Sequence, residues 1–314
     1  MENQSNTIDL WNLLCCPKCK ADVEVHSDHI VCTGCSQRYE IVDGIPVMLI
    51  KDDMDSTRDI SLSKWGEHYD NFDVTRYMDD YRGLYESYAN RLFERPVDGL
   101  KCSSNIVLEI GCGPGASRGF WFDKGFGYVG IDFSLSVLRA AKGIKEFPKE
   151  RSLFVCGDIL NPPFKKDVFA VIWGSGVIEH FRDTLGSLKL IRKITTQGGR
   201  ILATFPYLSL GSITYRQLWG NIPDFPVLRE IAEFVHIVLL KKKLMKFGFE
   251  YSFPEYKIRK LVKEAGLELN EFDHFDVYTS FDFIKNETVK NILRKMEKLR
   301  LFWAMAYLIA EKTK

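Results

Sequence analysis

From residue 106 onward, short apolar runs alternate with longer amphipathic ones. Residues 106–111, 127–132, 152–156, 168–174 and 199–205 predict strands, and 116–124, 134–143 and 182–194 predict helices between them. Strands that alternate with helices specify a parallel sheet covered on both faces, an α/β doubly wound architecture. Two further apolar stretches, near 267–273 and 302–310, extend it to a mostly parallel seven-stranded sheet whose final strand runs antiparallel. A helix within Phe253–Leu267 precedes the last strand pair.

Three regions fall outside that pattern. Residues 1–53 form a small cysteine-bearing unit, and a polar, charged stretch at 54–63 is a linker to a main domain over 64–314. Residues 64–95 predict helix, with Tyr77, Tyr81, Tyr85 and Tyr88 on one face, either packed in a core or lying as a lid over a site. An insert at about 206–257 carries a predicted helix from Val227 to Phe247, apolar at Leu228, Ile231, Val235, Leu239 and Leu244 and basic at Lys241–Lys243 and Lys246. This helix reads either as a cap with a solvated basic end or as an acceptor cover that touches a membrane surface. Arg294, Lys295 and Lys298 form a second basic stretch.

Composition narrows the field. The 314 residues are 46% hydrophobic and 27% charged, with a formal net charge of +1, so nothing global attracts nucleic acid. Met1-Glu-Asn-Gln-Ser lacks the basic start and apolar core of a leader, and Leu301–Ala310 is about half the ~18–20 residues of a spanning helix. The expectation is a soluble cytoplasmic protein with no transmembrane segment. Of the eight cysteines, four stand in paired C-x-x-C units at Cys16, Cys19, Cys32 and Cys35, a spacing that suits one tetrahedral all-thiolate zinc. A closed set of four ligands implies a structural metal, with no position left for water. Cys15 competes with Cys16 for the first ligand position. The spacing, together with the closing Asp43-Gly-Ile-Pro-Val-Met-Leu, resembles the zinc ribbon of the small activator subunit of tRNA and protein methyltransferases. Four basic against nine acidic side chains in residues 1–53 make this ribbon a poor phosphate binder.

The main domain is organised around Val107-Leu-Glu-Ile-Gly-Cys-Gly-Pro-Gly115. A buried strand there runs into glycines at alternating positions, where a Cβ would hold the backbone away from a ligand. Asp132 ends the second strand, where a carboxylate can accept from both hydroxyls of a ribose; Asp158 ends the third, suited to an exocyclic adenine amine. Asp132 could alternatively cap a helix, a role open to Ser134 as well. Glu109 just ahead of the glycines is ill placed beside a pyrophosphate but suits a cationic ligand. Together these motifs resemble the class I S-adenosylmethionine-dependent methyltransferases over roughly residues 64–206. The resemblance implies that Glu109, Gly111, Gly113 and Ser175 line the methionine side of the cofactor, Asp132 the ribose, and Asp158 with Ile159 the adenine. Glu179-His180 resembles a pair found in methyltransferases of small molecules, quinones and lipids. It implies either a base for an acceptor hydroxyl or a hydrogen-bonded packing pair.

The expected function is methyl transfer to a small-molecule or lipid-linked acceptor, such as a hydroxyl of a quinone, sugar or secondary metabolite, with peripheral membrane contact and no nucleic acid. The alternatives are an RNA base methyltransferase of the rRNA guanine type, disfavoured by the acidic ribbon, and a non-catalytic cofactor-binding partner in a complex.

Overall fold

The computed structural model describes residues 9–50, 63–67, 89–144, 147, 151–214, 216–217, 220–245, 248–275, 285–297 and 299–313. The tyrosine stripe at 77–88 and nearly all of the linker lie outside the described residues. Residues 63–67 are helical.

Seven strands form the expected core: β5 (Ile106–Ile110), β6 (Gly127–Asp132), β7 (Ser152–Cys156), β8 (Phe169–Ser175), β9 (Thr195–Pro206), β12 (Glu268–Phe275) and β13 (Met305–Glu311). They lie in the order β7-β6-β5-β8-β9-β13-β12. The first five are parallel, and β13 runs antiparallel to both β9 and β12. Every residue of β5 is buried, as expected for a central strand covered on both faces. Helices α1 (Arg118–Asp123), α2 (Leu135–Gly143), α3 (Thr184–Ile194) and α6 (Glu255–Glu264) account for the amphipathic runs. Ser134 caps α2 by accepting from the Val137 amide, and Asp183 caps α3 by accepting from Gly186.

Among the described residues, the sheet has eleven strands rather than seven. The ribbon contributes β1 (Val23–Val25), β2 (His29–Cys32), β3 (Arg38–Val42) and β4 (Ile45–Val47), an antiparallel meander that joins the edge of the parallel core. The junction is one parallel step, Val47 beside Cys156, with the Met48 amide donating to the Cys156 carbonyl at 2.7 Å. An exposed strand edge is a row of unpaired backbone groups, and the ribbon covers the one presented by β7. Leu10, Leu14, Cys16, Ile30, Tyr39 and Met48 share one buried cluster with Leu153, Val155 and Phe164 of the main domain. Some of the ribbon's acidic residues face basic ones across this seam. Asp43 accepts from Arg139 at 2.6 Å, its carbonyl takes Lys142, and Asp22 pairs with Lys165 at 3.0 Å. These exposed pairs orient the ribbon more than they stabilise it, at about 0–1 kcal/mol each.

The insert also departs from expectation. The single helix predicted over 227–247 is instead a short α-helix, α5 (Leu228–Glu233), continued by a π-helical stretch, Phe234–Leu239. It ends before the lysines because Lys241 and Lys242 take positive φ (48° and 63°), which stops a right-handed helix. A further helix, α4 (Leu210–Ile213), and a second, two-stranded parallel sheet precede and flank it. That small sheet pairs β10 (Asn221–Pro223) with β11 (Glu250–Ser252). The last helix, α7, spans Glu287–Glu297.

Candidate active site and metal site

The order of strands reverses between β5 and β8, which opens a crevice at their carboxyl ends. The glycine turn sits there. Gly111, Gly113 and Gly115 all have positive φ (61°, 49° and 68°), a backbone that β-carbon-bearing residues rarely adopt. Gly111 has a second constraint, since a Cβ would lie 2.8 Å from a methyl of Val177.

Asp132 is buried and spans two turns. Its Oδ2 accepts from the Gly113 amide at 3.0 Å and its Oδ1 from the Ser134 amide at 2.9 Å. Burial raises this carboxyl to about 6, although the amides favour its ionised form. Asp158 is half-buried and accepts from the Leu160 amide at 2.9 Å, and Ile159 is buried beside it. Ser175 ends β8, and its hydroxyl lies 2.9 Å from that of Thr204. At Gly174, one residue earlier, a Cβ would stand 2.5 Å from the Ile110 side chain.

Glu109 is held wholly by protein donors. Trp173 Nε1 donates to Oε1 at 3.1 Å, Ser117 donates to Oε2 at 2.7 Å, and the Tyr128 hydroxyl donates to the same oxygen. Trp121 Nε1 in turn donates to Ser117 at 3.1 Å. The carboxylate thus fastens α1 and β6 to β5 beneath the glycine turn. Burial lifts Glu109 to about 7 despite these three hydrogen bonds and the nearby buried Arg118. Sequence reasoning missed this network; its signal was a tyrosine and two tryptophans in apolar elements, whose polar tips need partners when buried.

Glu179 and His180 form a short 3-10 turn, Ile178–His180, after β8. Burial pushes Glu179 well above the usual carboxylate range, helped by the charge of Glu250. The His180 ring shares its Nδ1 with the Phe249 carbonyl, which fixes Nδ1–H and leaves Nε2 as the ring's acceptor. Burial lowers its pKa and keeps it neutral. Sequence reasoning also missed the polar residues of the insert near this turn: Arg216 and Glu250, whose charges act on Glu179, with Asn221 and Ser252 beside Glu250 on the small sheet. The alternation Phe249-Glu-Tyr-Ser-Phe253 was the available signal, a strand with one aromatic and one polar face.

At the far edge of the sheet, Cys16, Cys19, Cys32 and Cys35 offer sulfurs that all lie within 4.8 Å of one another. Zinc at about 2.3 Å from each sulfur sets tetrahedral neighbours ~3.8 Å apart. The separation of Cys16 and Cys35 is 3.8 Å, and that of Cys19 and Cys32 is 3.3 Å. The Gly34 and Cys35 amides both point at the Cys32 sulfur at 3.3 Å, as donors to a thiolate would. The set therefore fits a zinc ion. Cys15 stands apart, buried, with its amide bonded to the Pro163 carbonyl at 3.0 Å and its thiol raised to about 11 by burial. Cys16 is the member of the cluster.

Residues 108–203 match the family described as methyltransferase domain, a stretch that runs from the middle of β5 through β9. The chain carries a methyltransferase domain. The chain is 29% identical over 117 residues to malonyl-[acyl-carrier protein] O-methyltransferase of Pseudescherichia vulneris, covering 37% of this chain and 44% of that protein. It is 33% identical over 95 residues to demethylmenaquinone methyltransferase of Corynebacterium kroppenstedtii, covering 30% and 39%. The matched segments thus span less than half the length of these relatives. In fold, a chain from the complex containing the Haloferax volcanii Trm112 methyltransferase activator superposes with a TM-score of 0.54 at 17% identity. That superposition covers 82% of this chain and 98% of the other. The fold is the Rossmann-like one of class I methyltransferases. Among the described residues, no helix is long and apolar enough to cross a membrane.

The Glu109 network makes a pH prediction. Its folded pKa lies above its unfolded value, so its contribution is complete below about 4.5 and lost as pH rises through about 7. Melting temperature measured from pH 5 to 8 should fall more steeply in the wild type than in Glu109→Gln, by on the order of a few kcal/mol in equivalent stability. Parallel pH profiles would show that Glu109 does not titrate as described.

Proposed function

We propose that this protein transfers the methyl group of S-adenosylmethionine to a hydroxyl of a small or lipid-linked acceptor, and that its ribbon holds a structural zinc. The reading is carried by one observation: three positive-φ glycines and the Asp132 carboxylate meet at the switch point of a methyltransferase domain. The backbone of Gly111 and Gly113 would take the methionine part, Asp132 both ribose hydroxyls, and Asp158 with Ile159 the adenine. Glu109 supports the turn from below rather than touching the cofactor, and Ser175 borders the reacting methyl. S-adenosylmethionine, when bound, supplies a methyl on a sulfonium and leaves as a thioether. Alignment of the acceptor oxygen then accounts for much of the rate. The neutral His180, its ring fixed by the Phe249 carbonyl, takes the hydroxyl proton at Nε2. The named activities of the relatives, on a carrier-bound malonyl group and on demethylmenaquinone, support a small or lipid-linked acceptor over a polynucleotide.

Asp132→Ala should weaken S-adenosylmethionine binding by roughly tenfold or more, the scale of lost charge-assisted hydrogen bonds. Wild-type affinity should fall as pH drops below about 6, where the carboxyl protonates. Isothermal titration of both proteins between pH 5 and 8 measures this, and equal affinities would remove the ribose assignment. In the same preparations, tritiated methyl should enter lipid or small-molecule extracts. Label confined to RNA, or no turnover despite tight binding, would overturn the acceptor class or the enzymatic reading.

The purified protein should hold about one zinc per chain by mass spectrometry of metals, the stoichiometry of a closed four-thiolate site. Well-folded protein without zinc would refute the metal reading.

The cover also supports peripheral membrane contact. Leu228, Ile231, Phe234, Val238 and Leu239 are 44–60% exposed at helical spacing, and the exposed Lys241–Lys243 follow directly. The protein should sediment with vesicles containing phosphatidylglycerol, less so at high salt, and less when Phe234 and Leu239 are replaced by Asp. Absence of sedimentation with any vesicle would dismiss this contact.

A further inference from the structure

Among the described residues, five buried polar atoms on β10, β11 and the Glu179-His180 turn have no hydrogen-bond partner. They are Oε2 of Glu179, Oε2 of Glu250, Oδ1 and Nδ2 of Asn221, and Oγ of Ser252. Asn221 and Ser252 are fully buried, and Glu179 and Glu250 are 1% and 5% exposed. Folded proteins pair nearly all such groups, so a cluster of them needs an account. Chain geometry brings them together. Asn221 and Glu250 are register partners across β10 and β11, and Ser252 lies two residues along the strand on the same face as Glu250. Phe249, just ahead of β11, accepts from His180, so the strand lies against the Glu179-His180 turn. Arg216 donates to Glu250 Oε1, and the charges of Glu250 and Arg216 both act on Glu179. That turn follows β8, whose last residue is Ser175 at the mouth of the cofactor crevice.

The inventory says what would satisfy the cluster. Oε2 of Glu250, Oδ1 of Asn221 and Oγ of Ser252 accept, Nδ2 of Asn221 and the Ser252 hydroxyl donate, and the carboxyl of Glu179, pushed toward its protonated form by burial, donates or accepts. A phosphate or carboxylate would meet two carboxyl groups, and an alkyl chain would leave every atom unpaired. Hydroxyl groups both donate and accept, and several on one ring match a mixed set of this kind. We propose that Glu179, Asn221, Glu250 and Ser252 form the polar half of the acceptor site and hold a hydroxyl-rich, sugar-type group. The assignment rests on the methyltransferase reading for the word acceptor, but the binding of a polyol does not depend on turnover.

The test uses Asn221→Leu, a substitution of similar volume that removes two unpartnered atoms. In ligand-free protein, the melting temperature should stay level or rise, because no hydrogen bond is lost. Octyl β-glucoside, a sugar head on an alkyl tail, should show saturation transfer to its ring protons in NMR with the wild type and at least threefold less with Asn221→Leu. Ser252→Ala should behave alike, and both variants should bind S-adenosylmethionine as the wild type does. A lower melting temperature in Asn221→Leu with equal ring-proton transfer would mean that ordered water fills the cluster and would overturn the proposal. So would transfer confined to the alkyl protons. Failure of S-adenosylmethionine to bind the wild type would instead defeat the methyltransferase reading while leaving the sugar measurement to decide this one.

Discussion

The carboxylate of Asp132 ties the ends of two strands together. By accepting from Gly113 in one turn and Ser134 in the next, it fixes the glycine backbone after β5 against the start of α2. The glycines alone are permissive and would sample many conformations; a buried anion with two amide donors selects one of them. Beneath the turn, Glu109 does the same for two neighbouring strands and the start of α1, gathering Tyr128, Trp173 and Ser117 about one carboxyl group. Two buried acids thus hold the cradle in place, one on its floor and one at its side. Both are raised by burial, so the cradle is built from groups whose charge depends on pH near neutrality.

Around this cradle the molecule divides its tasks by position in the sheet. The parallel centre supplies the crevice. One edge is continued by the ribbon, whose four strands remove an open strand edge and whose thiols gather at the sheet's extremity. A continuous apolar cluster and the Val47–Cys156 step make the ribbon an extension of the sheet rather than a tethered bead. On the other side, the insert after β9 supplies a small sheet and a cover with an apolar, lysine-ended outer face and a polar inner one.

The parallel core was legible because its strands are largely buried and its helices amphipathic, the two strongest periodic signals a chain carries. Asp132, Asp158 and the glycine turn could be placed for the same reason: strand ends locate them. The joining of ribbon and core could not be read, because it depends on a single parallel step between β4 and β7 and on contacts between residues more than one hundred positions apart. Nor could the break in the cover helix, where Lys241 and Lys242 adopt a left-handed backbone that their side chains do not favour. Cys16 rather than Cys15 became distinguishable only when the fold brought the Cys16 sulfur toward Cys35 and tied the Cys15 backbone amide to the Pro163 carbonyl. The polar face of β11 was visible as alternation in Phe249–Phe253, but its meaning depends on Asn221, which only the pairing of β10 with β11 brings near.

A crystal structure of the protein with S-adenosylhomocysteine tests the central claim most directly. The account predicts the nucleoside across the β5 turn, with both ribose hydroxyls within hydrogen-bond distance of the Asp132 carboxylate and the sulfur directed toward Ser175 and the Glu179-His180 turn. A ligand bound elsewhere, or one that leaves Asp132 bonded only to Gly113 and Ser134, would contradict it.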